Sequence, residues 1–418
     1  MAQSAVVIGA GAVGMASAYY LQRAGFAVTV VDRGDVGRAC SYGNCCLIVP
    51  SHSDPLPGPG VIREALRFLL SSTSPFYIRP RLDPGLAAFL WQFRKHCNRE
   101  SAERGFHALV GLSRESLALY QELTASMEAD FFFRREGLLE VYLTERGVEL
   151  GRRSLKLMAE QGFPAKLLSR DEALAFEPAL STSSVKGGLF IESEAHGQSF
   201  GFVEALARTV EGRGGRIATR CPVVGLRVEG RRVKGIRIGE PPDEEELESD
   251  VVVLAAGSWS RRLGEAAGVA IPLQPAKGYS STVDAFEGAP RVPVYIKERR
   301  VVVTPLGDRV RFGGTLELAG FDSTIDRARY DAVVMAARET LKSDFPMKNE
   351  EAWCGFRPLT PDGLPIIDRA RNLDGLIVAT GHAMLGFTQS PMTGKLVAEL
   401  ASGETPSLSL EPFRLDRF

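Results

Sequence analysis

Apolar residues along this chain fall into runs of two kinds. Residues 5–8 (Ala-Val-Val-Ile) and 28–31 (Val-Thr-Val-Val) are short continuous runs, which predict strands buried on both faces. Between them the spacing turns helical, carried by Ala16, Tyr19, Tyr20 and Leu21, and Gly25 ends the helix. A third run, 251–254, leads into Ala255, Ala256 and Gly257, small residues that allow a ligand close to the backbone. Runs 223–228 and 233–238 flank Glu229-Gly230-Arg231-Arg232 as a hairpin. Helices are predicted over 61–70, 85–97, 202–213, 326–343 and 393–401. Residues 105–180 read as mainly helical, broken by a strand at 137–143. Residues 277–316 are strand-rich, and short strands follow at 365–367 and 376–379. The stretch 240–250 holds seven carboxylates in eleven positions and reads as a solvated turn.

The turn between the first strand and helix carries Gly9, Gly11 and Gly14 in G-x-G-x-x-G spacing, completed by Ala10, Ala12 and Val13. Gly9 permits the tight turn, Gly11 lets a pyrophosphate approach, and Gly14 lets helix and strand pack closely. The helix N-terminus offers N–H groups and positive dipole to phosphate. Asp32, 18 residues beyond Gly14, can accept hydrogen bonds from both ribose hydroxyls. Strand, turn, helix, strand and acid in this order predict a dinucleotide site. They leave FAD and NAD equally open.

A chain of 418 residues predicts two domains or one interleaved pair. Its 50 basic and 51 acidic residues argue against nucleic acid as partner. A first strand at Ala5 leaves no space for a signal peptide, and no apolar run approaches bilayer length; both point to a cytoplasmic protein. The six cysteines show no metal-ligand spacing and are expected as thiols. Cys40, Cys45, Cys46 and His52 make a poor tetrahedral set because two cysteines are adjacent, so no metal is expected. Segment 61–99 has seven basic and two acidic residues with Phe68, Phe76, Tyr77, Trp91 and Phe93 interleaved. It reads as helices roofing a substrate domain or as a peripheral membrane-surface patch on the inner face of the cell membrane.

Two stretches carry candidate chemistry. In 353–363 (Trp-Cys-Gly-Phe-Arg-Pro-Leu-Thr-Pro-Asp-Gly), Arg357 is held between an aromatic residue and a proline, and its planar fork suits a carboxylate. Pairing with Asp362 or with a backbone carbonyl is the structural alternative. In 379–388 a small-residue loop follows a strand, where N–H groups can meet a polar ring edge; its His382 reads as a packed histidine.

With these stretches in place, the chain resembles the glycine oxidase and D-amino-acid oxidase superfamily, and most of all its D-amino-acid dehydrogenases. The resemblance runs through the glycine turn, Cys40-Ser41-Tyr42-Gly43-Asn44, residues 74–84, Lys277-Gly278-Tyr279 and Gly313-Gly314-Thr315-Leu316-Glu317. It continues through Gly355-Phe356-Arg357-Pro358, Gly381-His382 and the ending Phe413-Arg414-Leu415-Asp416-Arg417. It implies an α/β protein: a discontinuous Rossmann-like FAD-binding domain (1–60, 195–275, 345–418) interleaved with an α+β substrate domain (61–194, 276–344) having a mixed antiparallel sheet. It also implies non-covalent FAD. Asp32 and Arg33 would hold the ribose, and Cys40, Ser41, Asn44, Cys45 and Cys46 would run along the flavin. Val224, Ala256 and Gly257 would approach adenine and pyrophosphate, with Gly355 in the cofactor set. His382, Ala383, Met384, Leu385, Gly386, Phe387 and Thr388 would meet the flavin's pyrimidine end. Arg357 matches the arginine that clamps a substrate carboxylate, and Tyr279 and His52 are candidate substrate-facing groups.

The implied reaction is oxidative deamination of D-amino acids, D-proline-type imino acids included, with electrons passed to a quinone or other non-oxygen acceptor. The alternative is an O2-using glycine- or sarcosine-type amine oxidase. Two departures stand out: Cys46 replaces a common glycine, and Ala383-Met384 replace the second arginine of glycine oxidase. Cys354 lies near where sarcosine oxidases attach flavin, but its Gly-Phe-Arg-Pro surroundings imply dissociable FAD.

Overall fold

The computed structural model describes residues 2–68, 74–126, 130–239, 244–342 and 345–418. Ala5, Val7 and Val253 face one buried side of a sheet, and Val6, Ile8, Val252 and Leu254 face the other. That two-sided burial is why these runs do not alternate with polar residues. The sheet has six strands in the order Ile366–Arg369, Leu376–Thr380, Val251–Leu254, Ser4–Ile8, Ala27–Val31, Arg216–Ala218. All neighbours are parallel except the first pair. Helices Ala12–Arg23, Ser199–Gly212 and Gly386–Ser402 cover one face. An antiparallel ribbon, Val223–Glu229, Arg232–Ile238 and Glu245–Glu248, covers the other.

Two contacts set how closely the first helix packs. A side-chain carbon on Gly14 would lie 1.8 Å from the Gly9 carbonyl oxygen, so only glycine lets helix and turn meet there. On the helix's other side, a carbon on Gly394 would fall 2.5 Å from the backbone of Ala16. The helix is thus pressed between the glycine turn and helix Gly386–Ser402.

The second sheet has nine strands. Eight run in the order Glu351–Leu359, Gln274–Asp284, Arg309–Leu318, Val301–Pro305, Val294–Ile296, Leu138–Tyr142, Gly187–Ile191, Ala165–Ser169. Phe76–Ile78 pairs in parallel with the end of Arg309–Leu318. Helix Arg327–Thr340 packs on this sheet with Val283, Val303 and Phe312. The Gln274–Asp284 ladder has one irregularity: Lys277 pairs with Glu317 but Tyr279 with Gly314. Arg309–Leu318 therefore carries one extra residue there, a β-bulge. The mixed α/β architecture is as expected, but the change of sheet does not fall at 345, because Glu351–Leu359, with Arg357, belongs to the second sheet.

Several elements differ from the sequence reading. The acidic stretch is not all turn. Glu245–Glu248 forms an edge strand, held by Arg227 to Glu246 at 3.3 Å and Glu248 at 2.5 Å, while 240–243 lie outside the described residues. A strand at Ala165–Ser169 interrupts the helical region. The first helix of segment 61–99 is Val61–Phe68, with 69–70 outside the described residues. Helix Arg327–Thr340 stops short of Ser343, which also lies outside them. The last helix begins at Gly386, well before Thr393, and runs through Pro391. Proline removes the donor that the Phe387 carbonyl would normally receive. Tyr120 replaces it, its hydroxyl donating to that carbonyl at 2.5 Å.

The two sheets meet near a short ladder, Leu47–Ile48 with Ala195–His196. Beside it Glu194 is fully buried; one oxygen accepts from the Ser51 N–H at 3.3 Å and the other has no partner. Burial pushes its carboxyl up from 4.5 to about 7, against the opposing pull of His52 and the Ser51 and Ser193 hydrogen bonds.

Two stability outcomes follow from this packing. Gly394→Val should destabilise by about 3 kcal/mol in urea unfolding, because the added atoms meet backbone that cannot yield. For Glu194 the folded value lies above the unfolded one, so its ionisation penalty is absent below the unfolded value, grows as pH rises, and is complete above the folded value. Glu194→Gln should therefore leave stability unchanged near pH 4 and raise it by up to about 3 kcal/mol at pH 8. A stabilisation independent of pH would show that Glu194 is not the titrating group.

Candidate active site

A single cavity of about 1040 Å³ runs from the glycine turn to the second sheet. This exceeds the roughly 300–1,000 Å³ of ordinary small-ligand sites. At one end are Gly9, Gly11, Ala12, Val13, Asp32 and Arg33. Asp32 is positioned by its own turn: its oxygens accept from the Ala10 and Gly34 N–H groups, each at 2.7 Å. Ala12 donates to the Ser41 hydroxyl at 2.9 Å, tying the helix start to the 40–46 loop. Arg33 stacks on Trp259 at 4.0 Å. A carboxylate fixed beside a glycine turn that opens into the cavity fits the ribose and pyrophosphate of a dinucleotide.

The middle of the cavity is walled by Cys40, Ser41, Asn44, Cys45 and Cys46, by Ala256 and Gly257, and by His382 to Thr388. Cys46 has φ +59°, the left-handed region where glycine is the usual occupant. Arg311 holds that loop, donating to the Tyr42 and Asn44 carbonyls at 2.9 and 3.0 Å and to Cys46 Sγ at 3.2 Å. Burial keeps the Cys40 thiol protonated, raised to about 11, and it donates to the Phe356 carbonyl at 2.8 Å. Cys354 is not part of the wall; its thiol points to the Ser323 carbonyl at 3.2 Å. His382 bonds Thr393 Oγ1 at 2.9 Å, and burial pushes its ring down to about 3, so it is a neutral packed histidine.

At the far end stands Arg357. On the neighbouring strand Gly278, two residues beyond Arg357's partner Ala276, leaves room for the guanidinium, since a carbon there would lie 2.3 Å from Arg357 Cζ. Arg357 Nη1 donates to the Thr315 carbonyl at 2.5 Å, and Nη2 reaches the Gly314 carbonyl at 3.5 Å. Asp362 is not its partner, being paired with Arg417 at 2.7 Å. Among the described residues no carboxylate lies within ion-pair distance of Arg357, and burial pulls its pKa below the ordinary arginine value. The bulge that presents these carbonyls holds Thr315 at φ +61°, a strained conformation for a β-branched residue costing about 1–3 kcal/mol.

Other expected residues are placed differently. Tyr279 is buried on the opposite face of its strand from Gly278, its hydroxyl donating to Glu317 at 2.6 Å, so it does not face the cavity. His52 does line it, but both ring nitrogens are engaged, Nδ1 with Ser51 Oγ at 2.9 Å and Nε2 with Glu140 at 2.8 Å. Glu140 also accepts from Lys297 at 2.6 Å and Tyr142 at 2.6 Å; burial raises its pKa, but Lys297 and His52 outweigh that and hold it well below the usual range. Pro222 and Val223 line the cavity where Val224 was expected. Ala10, Gly14 and Gly355 act behind the wall. Gly355 makes room for the Trp353 ring, which also fills the space beside Gly43. Arg311 escaped the sequence reading, and Trp353 entered it only as the start of the 353–363 stretch, although a tryptophan two residues before a strand glycine and an arginine between Val310 and Phe312 were available signals.

Comparison with known proteins extends this picture. The family described as "FAD dependent oxidoreductase" matches residues 4–400. The chain is 33% identical to a D-amino acid dehydrogenase of Cereibacter sphaeroides over 418 residues, covering 99% of this chain and 95% of that one. It is 32% identical to a Vibrio vulnificus protein of the same name over 419 residues, covering 99% of both. Glycine oxidase from Bacillus cereus ATCC 14579 superposes with a TM-score of 0.78 at 21% identity, covering 100% of this chain and 99% of that one. L-proline dehydrogenase from P. horikoshii follows at 0.75 and 20%, covering 100% and 98%. At those identities the solved structures establish the fold. The family match spans both sheets and the strand that carries Arg357, and it places the chain in the FAD-dependent oxidoreductase family.

Proposed function

We propose that the protein oxidises D-amino acids to 2-oxo acids and ammonia and passes the electrons to a quinone or similar non-oxygen acceptor. The observation that carries this reading is Arg357, a half-buried guanidinium with no carboxylate partner among the described residues, in the same cavity as the glycine turn and Asp32. An isolated buried cation is costly, and a ligand carboxylate is the group that completes it. The names of the full-length relatives supply the D-amino acid. Bound FAD supplies the hydride acceptor.

In this reading Arg357 fixes the carboxylate and so orients the α-carbon toward the flavin. The Thr315 and Gly314 carbonyls keep its fork from turning. His52 is not the base, because its nitrogens serve Ser51 and Glu140. The substrate therefore reacts as its neutral amine, and the imine formed hydrolyses in water. Ala383 and Met384, where glycine oxidase carries an arginine, favour an apolar side chain; D-proline-type imino acids fall within the same range. FAD is held non-covalently, supported by the position of Cys354 away from the cavity wall.

Segment 61–99 supports a peripheral membrane contact for quinone access. Leu66 and Trp91 are each 61% exposed and Leu82 is fully exposed, among Arg79, Arg81 and Arg94. Among the described residues no helix is long and apolar enough to cross a membrane.

Three measurements test these statements. Arg357→Leu should lower kcat/KM for the best D-amino acid by on the order of 100-fold, chiefly through KM, and unchanged kinetics would remove Arg357 from substrate binding. In an anaerobic panel, D- but not L-amino acids should bleach the flavin, and a quinone or dye should support faster turnover than O2; equal rates with stoichiometric peroxide would instead establish an oxidase. Trp91→Glu combined with Leu66→Glu should weaken binding to anionic vesicles while leaving dye-coupled turnover intact; vesicle binding equal to wild type would remove the membrane contact.

A further inference from the structure

Several hydroxyls line the cavity, and among the described residues all but one of those on serine and threonine are used within the protein. Ser41 Oγ accepts from the Ala12 N–H at 2.9 Å, Thr380 Oγ1 donates to the Gly257 carbonyl at 3.0 Å, and Thr388 Oγ1 donates to the Leu47 carbonyl at 3.1 Å. Thr315 also lines the cavity, and its Oγ1 is buried without any partner. The same residue sits at φ +61° on the bulge of strand Arg309–Leu318. A valine would fill this space without leaving a polar atom unpaired, and a glycine would relieve the backbone. Packing therefore explains neither the hydroxyl nor the conformation; an unpaired buried polar atom on a strained residue points to a ligand.

We propose that the Thr315 hydroxyl binds substrate, accepting a hydrogen bond from the α-amino group of the amino acid whose carboxylate Arg357 holds. The inference rests on the amino-acid reading above and adds the group that recognises the amine. An α-amine is one bond from the carbon bearing the carboxylate, so its acceptor must lie beside the guanidinium. Thr315 meets that condition, because its own carbonyl touches Arg357 Nη1. The needs of the two substrate groups also differ. The carboxylate requires donors, which the guanidinium supplies, whereas the amine requires acceptors. The Gly314 and Thr315 carbonyls already accept from Arg357, and Asp32 is engaged at the glycine turn, whereas the Thr315 hydroxyl is an acceptor on a residue touching the arginine that the protein leaves unused. One residue would then hold the arginine through its carbonyl and the amine through its side chain, fixing the α-carbon between them.

The test separates the amine from the carboxylate. The FAD-loaded wild type, Thr315→Val and Thr315→Ser are compared for dye-coupled turnover of D-leucine. They are also compared for binding of 4-methylpentanoate, the same skeleton without the amine, read as a flavin absorbance shift. Thr315→Val should lose about 10- to 100-fold in kcat/KM for D-leucine while its dissociation constant for 4-methylpentanoate stays within twofold of wild type. Thr315→Ser, which keeps the hydroxyl, should stay near wild type on both. D-leucine kinetics unchanged in Thr315→Val, or an equal loss for both ligands, would overturn the proposal, the second outcome meaning that the residue only positions Arg357. A wild type that binds 4-methylpentanoate but turns over no D-amino acid would instead refute the substrate reading itself.

Discussion

A guanidinium set in a cavity with no carboxylate partner among the described residues is the constraint around which this molecule is arranged. Taking a charge out of water costs several kcal/mol even after relaxation, and an internal acid would be the ordinary remedy. Here that remedy is withheld from Arg357: Asp362 goes to Arg417, and Glu317 goes to Tyr279 and Lys277 on the sheet's other face. Only main-chain oxygens attend the fork, and they reach it because one strand of the second sheet bulges. Gly278 clears the volume and Thr315 accepts a strained backbone. Local backbone strain is thus accepted on the strand whose carbonyls hold the guanidinium.

The same cavity needs its two ends held in register, and loop 40–46 does that. Ser41 fastens the loop to the first turn of helix Ala12–Arg23, while Arg311 reaches from the second sheet to the Tyr42 and Asn44 carbonyls. The glycine turn and the arginine strand are thus joined through a short stretch of backbone with polar anchors at either side. Close packing behind the turn, where Gly14 meets Gly9 and Gly394 meets Ala16, keeps that frame from shifting.

The charges gathered around His52 are neutralised inside the protein. Glu140 gathers Lys297, His52 and Tyr142 around one buried carboxylate, and His382 is held neutral by burial. These groups shape the cavity without competing with a ligand for Arg357.

The glycine turn, Asp32, the parallel strands and the rigidly held Arg357 were legible in the sequence because each depends on neighbours in the chain: a glycine spacing, an unbroken apolar run, an arginine set before proline. The resemblance added FAD and the implied substrate class. Tyr279 was misread, and His52, which does line the cavity, has its ring nitrogens bonded to groups that the sequence did not reveal, for one reason. Which face of a strand a side chain takes, and whether a ring nitrogen is already spent, depends on partners such as Glu317 and Glu140 that are distant in sequence. The last helix makes the same point, since the Phe387 carbonyl freed by Pro391 receives hydrogen bonds from the nearby Ser390 hydroxyl and from Tyr120, 267 residues away. Sequence alone thus determined the dinucleotide turn and the elements with strong local periodicity. Tertiary structure decided which polar groups remain unpaired beside Arg357, because pairing is a property of what the fold brings together across long loops.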